Sequence, residues 1–267
     1  MHDPAKVILL AILQGVAEFL PVSSSGHLVI ASRLLGMELP GLRLDAMLHF
    51  GTLLAVCLFY RRRLGSLLAG LARRERAACR EAGRLLLASL PIVAVYLAVH
   101  EWIEACYENH RVAAAMLLVT GLLLLSLRLR RPEVTGRPAP GGAPLVWWRA
   151  LVIGLAQAVA ILPGISRSGT TIATARHLGI EPVRAAEFSF LMSMPPLLGA
   201  ALLHGFRPEA AGAAGPGWGV VAVGTLVSTL VGYASIAFLM RMLAGGRFWV
   251  FGVYCLLAGG AVLLSGL

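Results

Sequence analysis

Six apolar runs, each near the length that crosses a bilayer, decide what this chain can become. They are Leu44–Tyr60, Leu85–Val99, Val112–Leu127, Ala185–Leu203, Val220–Met240 and Phe248–Leu267. A helix needs about 20 residues to cross the hydrocarbon, and only helices and closed barrels satisfy their own backbone there. The composition agrees. The chain is 58% hydrophobic and 13% charged, where soluble domains run near about a quarter charged. The runs predict an all-α integral membrane protein with about six transmembrane helices in a single membrane domain, 1–267.

Two further segments are apolar but interrupted. Val7–Leu35 is broken by Pro21 and Ser23-Ser24-Ser25-Gly26, and Val146–Leu178 by Pro163-Gly164 and Ser166-Arg167-Ser168-Gly169. Proline removes a backbone donor and stops the helix before it. Each segment therefore predicts two short helices meeting at a polar tip, a re-entrant hairpin.

The charges set the expected orientation. Arg61, Arg62, Arg63, Arg73, Arg74, Arg76, Arg80 and Arg84 follow the first run, and Arg128, Arg130, Arg131, Arg137 and Arg149 follow the third. The positive-inside rule puts both stretches on the cytoplasmic side. The net charge of +10 is thus topogenic, and nucleic acid is not an expected partner. Glu101, Glu104 and Glu108 mark an outward loop, and Arg241 and Arg247 fall inside again. Both termini then lie outside, with the first hairpin entering from outside and the second from the cytoplasm. Trp147, Trp148, Trp218 and Trp249 sit near run ends as interfacial anchors. Cys57, Cys79, Cys106 and Cys255 are scattered without a CxxC, so neither a disulfide framework nor a zinc site is expected. Met1–Leu20 lacks the basic start and cleavage pattern of a signal peptide and is read as mature structure.

A shift of 143 positions superimposes the two hairpins. Gln14 falls on Gln157, Val16 on Val159, Ala17 on Ala160, Ser23 on Ser166, Ser25 on Ser168 and Gly26 on Gly169. The chain reads as two halves, 1–130 and 144–267, joined by a basic Pro/Gly-rich linker over 130–143. The loop charges give the halves opposite orientations, an inverted repeat whose broken helices meet near the midplane.

Those tips carry the candidate chemistry. A helix that starts inside the membrane presents free N–H groups and the positive end of its dipole. Serines there cap the helix and can contact an anion. Arg167 adds a planar donor fork suited to phosphate. Gln14 and Glu18, four apart, share one helix face before the first break. Glu18 in an apolar stretch can hold a cation, act as a base, or orient His27; its plainer reading is an ion pair with Arg167. His27 stands three residues after Ser24, one turn away, so a hydroxyl has an imidazole in reach for attack on phosphorus. Spacing favours Ser24 over Ser25, with Ser23 as the cap. Thr170 and Thr171 can donate to phosphate oxygens. Glu187 is read first as structural, beside Arg184, and Asp45 holds a loosely similar place in the first half. For a single Ser-Gly run, capping and close packing would be the plainer account.

The run Gln14-Gly15-Val16-Ala17-Glu18-Phe19-Leu20-Pro21-Val22-Ser23-Ser24-Ser25-Gly26-His27 resembles the first signature of the bacterial undecaprenyl-diphosphate phosphatases, the bacitracin-resistance proteins. Pro163-Gly164-Ile165-Ser166-Arg167-Ser168-Gly169-Thr170-Thr171 resembles their second, and Glu187-Phe188-Ser189-Phe190 a further shared run. The resemblance covers essentially the whole chain. It implies hydrolysis of undecaprenyl diphosphate to undecaprenyl phosphate and phosphate, recycling the carrier lipid for cell-wall synthesis. It implies a multi-pass protein of the bacterial cell membrane with its site facing the periplasm or exterior, helped by Mg or Ca. Glu18, Ser24, His27 and Arg167 would be catalytic. Gln14, Ser23, Ser25, Gly26, Ser166, Ser168, Gly169, Thr170 and Thr171 would bind substrate, and Glu18 with Gln14 the metal. Gln14 stands where many members carry Glu, which weakens a mechanism needing two carboxylates there. Bacitracin would compete for the lipid, and a homodimer is implied by resemblance alone. A second family of lipid phosphatases shares Ser-Gly-His and Ser-Arg elements, but Ala173 stands where it needs histidine. The rival function is a carrier that flips the lipid phosphate without hydrolysis, since broken inverted repeats also build transporters.

Overall fold

Both interrupted segments fold as helix, tip, helix. The computed structural model describes residues 4–34, 42–107, 109–128, 142–205 and 217–265, so Glu108 and most of the proposed linker lie outside the described residues. In chain order the helices are α1 (Pro4–Ala17), α2 (Ser24–Leu34), α3 (Leu42–Phe59), α4 (Arg61–Ala72), α5 (Arg76–Tyr107), α6 (His110–Ser126), α7 (Trp147–Val159), α8 (Arg167–His177), α9 (Pro182–Ala200), α10 (Trp218–Ala244) and α11 (Val250–Leu264). A wider π turn, Ala201–Gly205, prolongs α9. Among the described residues the regular structure is helical, save one bridge between Gly142 and Ile180.

The surface is inverted relative to a soluble protein. Leu97 and Leu257 are 71% and 69% exposed, and Leu86, Leu90, Leu226 and Leu230 stand out beside them. Gln14, Gln157, Thr120, Ser189 and Ser228 are buried. Apolar side chains outward and polar ones inward suit hydrocarbon as the solvent. Small residues let the helices touch: a Cβ on Gly154 of α7 would stand 2.5 Å from the Ala88 carbonyl oxygen of α5.

The all-α membrane class is as expected; the spans differ in detail. Four helices are long and apolar enough to cross unaided: Arg76–Ile103, His110–Arg128, Pro182–Gly205 and Trp218–Ala244. The expected first span is α3, which bends by 78° into α4 and makes a fifth crossing if the pair is counted as one. The expected last span is α11, only 15 residues long and one of the shorter apolar helices. The arginine stretch after α3, read as a loop, contains the helix α4, which buries Leu67 and Gly70. The acidic outward loop is largely helix too. α5 continues through Glu101 to Tyr107, with Pro91 inside and a break at Val99. Glu187 pairs with Arg63 of α4, not with Arg184, and Arg63 also pairs with Glu81. That pair sets the start of α9 beside α4, at the arginine-rich end of the bundle.

Helix α1 packs on α10, and α7 packs on α5. Each hairpin thus leans on a long helix from the other half of the chain. Neighbouring helices also prop the tips: Thr120 of α6 donates to the Gly164 carbonyl at 2.9 Å, and Cys255 of α11 reaches the Pro21 carbonyl at 3.5 Å.

Candidate active site

The two tips are built alike. Ser23 precedes α2 and accepts the Gly26 N–H at 3.2 Å; Ser166 precedes α8 and accepts the Gly169 N–H at 3.1 Å. Each thereby satisfies a free donor at a helix start. Ser25 lies 3.3 Å from Ser23, and Ser168 lies 3.3 Å from Ser166. Ser23 reaches its capping position with a φ of 69°, an uncommon conformation for a residue with a side chain.

The tips also touch. A Cβ on Gly26 would stand 2.8 Å from the Gly164 Cα, and one on Gly169 would stand 3.1 Å from the Pro21 Cβ. These two contacts exchange under the shift of 143. Glycine is needed at both places because a side chain would separate the tips.

Glu18 occupies the seam, 7% exposed. One carboxylate oxygen pairs with Nη2 of Arg167. The other accepts the Ser24 hydroxyl at 2.7 Å and the Gln14 amide at 3.0 Å. Ser24 and Arg167 are the residues that the shift of 143 places on one another. One tip therefore contributes a hydroxyl and the other a cation to the two oxygens of a single carboxylate. A buried charge is tolerated only when it is paired and hydrogen-bonded, and Glu18 has both. Nη1 of Arg167 is buried without a partner.

Beside this carboxylate lies a cavity of about 260 Å³. Glu18, Ser23, Ser24, Ser25, Ser166 and Arg167 face it, while Ile92, Ile161 and Leu197 form an apolar wall. The remaining residues singled out from the sequence stand behind it. Gln14 supports Glu18. Gly26 and Gly169 hold the tips together. Ser168 donates to the Leu20 carbonyl at 3.3 Å. Thr171 donates to the Arg167 carbonyl at 2.8 Å and lies 2.6 Å from Ser189, while the Thr170 hydroxyl is buried without a partner.

His27 does not point at Ser24. Its Nδ1 lies 2.9 Å from the Ser23 carbonyl and its Nε2 lies 2.7 Å from the Tyr254 hydroxyl, with the two rings stacked. The imidazole nearest the carboxylate is His49 of α3, which the sequence reading passed over. Its Nε2 stands 3.7 Å from Glu18, its Nδ1 stands 2.9 Å from the Asp45 carbonyl, and it faces the cavity. Tyr107, also overlooked, lines the cavity along with Ser25. The signal for His49 was present, as an ionisable side chain inside an apolar run, four residues after Asp45.

Among the described residues no three His, Cys, Asp or Glu side chains converge to hold a metal ion. Both oxygens of Glu18 are already engaged, and Gln14 turns its amide nitrogen toward them. Hard divalent cations take six or more oxygens. Among the described residues the donors around Glu18 and Gln14 do not form such a cage.

A sequence profile of the family described as bacitracin resistance protein BacA matches residues 7–261. The chain belongs to this family. Three relatives are each named undecaprenyl-diphosphatase. That of Desulfatibacillum aliphaticivorans is 37% identical over 276 residues, covering 97% of this chain and 98% of its own. That of Syntrophotalea carbinolica is 41% identical over 259 residues, covering 95% of each. That of Methanococcus maripaludis strain C7 is 34% identical over 261 residues, covering 96% of this chain and 98% of its own. Within the BacA family match lie both tips, Glu18, His49 and every side chain of the cavity.

Proposed function

We propose that this chain is an undecaprenyl-diphosphate phosphatase, acting where the two tips meet. The observation that carries the reading is the convergence of Ser24 and Arg167 on the two oxygens of Glu18. A carrier needs groups that bind; it does not need a hydroxyl already donating to a carboxylate. The diphosphate head enters the cavity against Arg167, whose free Nη1 is a donor for a phosphate oxygen. The isoprenoid tail leaves along Ile92, Ile161 and Leu197 toward lipid.

Ser24 Oγ attacks the terminal phosphorus and Glu18 takes its proton. The bond from that phosphorus to the bridging oxygen breaks, and undecaprenyl phosphate departs. Water then cleaves the seryl phosphate, releasing inorganic phosphate and restoring Ser24. Arg167 and the two helix starts offset the charge, which is the larger share of catalysis in phosphoryl transfer. His49, oriented by Asp45, is the imidazole nearest Glu18 and the one placed to relay the Ser24 proton onward. His27 holds Ser23 and Tyr254 instead.

The test is phosphate release from undecaprenyl diphosphate by purified protein in detergent. Ser24→Ala is expected to lose about a hundredfold or more in turnover, and His27→Asn much less. Near-normal turnover in Ser24→Ala would leave direct attack by water as the mechanism. A divalent cation would be held mainly by the phosphate oxygens of the substrate and by water, with Glu18 the one carboxylate among the described residues lining the cavity, and would offset the phosphate charge. The same assay in EDTA should slow, and recover with Mg or Ca; an unchanged rate would remove the cation.

The inverted repeat accounts for the exchange of tip contacts and for the props from α6 and α11. The cavity is lined by His49, Tyr107 and Ala200, which lie toward the opposite ends of their helices from the arginine-rich end. Under the positive-inside rule the cavity then opens to the exterior of the cell membrane. Bacitracin, by resemblance a competitor for the same lipid, gives a cellular test. Expression of this chain should raise bacitracin tolerance, and Glu18→Ala should not; equal tolerance with both would separate resistance from catalysis.

A further inference from the structure

A second cavity, about 150 Å³, lies at the arginine-rich end of the bundle, remote from the tips. It opens where five helix ends gather. Leu127 and Arg128 come from the end of α6, Arg176 from α8, Pro182 from the start of α9, Leu243 and Gly246 from the end of α10, and Trp249 from the start of α11. Among the described residues two guanidinium groups line it and no carboxylate does. The guanidinium carbon of Arg128 lies over the Trp249 ring, 4.2 Å from its centroid, a cation–π contact that holds its charge beside the cavity. Arg176 donates through Nη1 to the Ile180 carbonyl at 2.9 Å, which ties it to the turn before α9. The nearby carboxylate of Glu181 is taken by the Val183 and Arg184 N–H groups, at 3.0 and 2.9 Å. Arg241, in the last turn of α10, and Arg247, between α10 and α11, are exposed nearby.

We infer that this cavity is a binding site for the anionic headgroup of a membrane phospholipid, a phosphodiester such as that of phosphatidylglycerol. The chemistry is complementary: planar cations face an anion, and among the described residues the cavity lining carries no carboxylate. The place is complementary as well. Trp249 marks the interfacial depth at which headgroups lie, and the exposed apolar side chains of Val250, Val253 and Leu257 continue along α11 as a track for acyl chains. Basic pockets between helices at the cytoplasmic face are recurrent headgroup sites. The site is separate from the proposed catalysis, since none of its residues touches Glu18, Ser24 or Arg167.

Gly246 supplies the clean test. It lines the cavity, has a φ of 66°, and a Cβ there would meet nothing within 4 Å. Aspartate and asparagine tolerate this backbone about equally, so Gly246→Asp and Gly246→Asn differ in charge alone. Binding of phosphatidylglycerol and of phosphatidylcholine to detergent-solubilised protein would be titrated by native mass spectrometry. Gly246→Asp should bind phosphatidylglycerol about five- to tenfold more weakly than Gly246→Asn, with phosphatidylcholine unchanged. Arg128→Gln should behave like Gly246→Asp. Phosphate release from undecaprenyl diphosphate should be the same in all of them, which separates this inference from the catalytic one. Equal phosphatidylglycerol binding in the Asp and Asn variants would overturn the site. So would displacement of the lipid by millimolar inorganic phosphate, which would make it a soluble-anion site.

Discussion

The Glu18→Gln protein is expected to release phosphate from undecaprenyl diphosphate about a thousandfold more slowly than the wild type. Glutamine keeps the size of the side chain and can still accept from Ser24. What it loses is the charge that takes the Ser24 proton and holds Arg167 in place. The fold should suffer too. Removing one member of a buried ion pair costs about 3–5 kcal/mol, because the other charge is left uncompensated. In a chain of this size that lowers the unfolding midpoint by roughly 10 °C. Glu18→Gln/Arg167→Gln removes both charges and leaves two neutral groups able to hydrogen-bond. It should regain most of the lost midpoint and none of the lost turnover. Thermal unfolding in detergent and phosphate release, measured on the three proteins together, separate the two roles. Turnover within tenfold of wild type in Glu18→Gln would take the carboxylate out of the reaction. A double variant no more stable than the single would mean that the pair is not the source of the cost.

What the sequence disclosed about this site follows from the solvent. Hydrocarbon does not tolerate an open helix end, so Ser23-Ser24-Ser25-Gly26 and Ser166-Arg167-Ser168-Gly169 inside apolar segments had to be capped turns. Ser23 and Ser166 are caps for that reason, and the ion pair of Glu18 with Arg167 follows from the cost of either charge alone. Long-range partners were harder to read. Ser24 lies close to His27 in sequence, but the imidazole turns to Tyr254, which is 227 positions away. His49 was missed because a run judged by mean hydropathy averages over one histidine, although an ionisable side chain inside such a run is itself a signal. Charge concealed α4 in the opposite sense. Its arginines read as a loop, while Leu64, Leu67 and Leu71 repeat at three and four and turn one face toward the core. The length of α5 was obscured likewise, because Glu101 closes an apolar run without ending a helix.

Gly164→Ala is expected to destabilise the protein by roughly 2–5 kcal/mol, more than any other single methyl group added near the site. Two costs combine. The φ of 94° at Gly164 is one that residues with a side chain rarely adopt. The added Cβ would also stand 2.0 Å from the Ala113 carbonyl oxygen, a distance no rotamer can relieve because the obstacle is backbone. Moving the turn away from α6 would strain the bond from Thr120 to the Gly164 carbonyl and the contact with Gly26, which between them set one tip against the other. Since Arg167 stands only three residues on, turnover should fall along with stability. Gly219→Ala is the matched control: at the start of α10 its Cβ would meet nothing within 4 Å. There the change should be neutral or slightly stabilising, as alanine is the better helix former. Unfolding midpoints of the two variants would be compared in the same detergent. If Gly164→Ala melted within a degree or two of Gly219→Ala, the second tip would be free to move off α6. The fixed contact between tips could then no longer explain how Ser24 and Arg167 reach the same carboxylate.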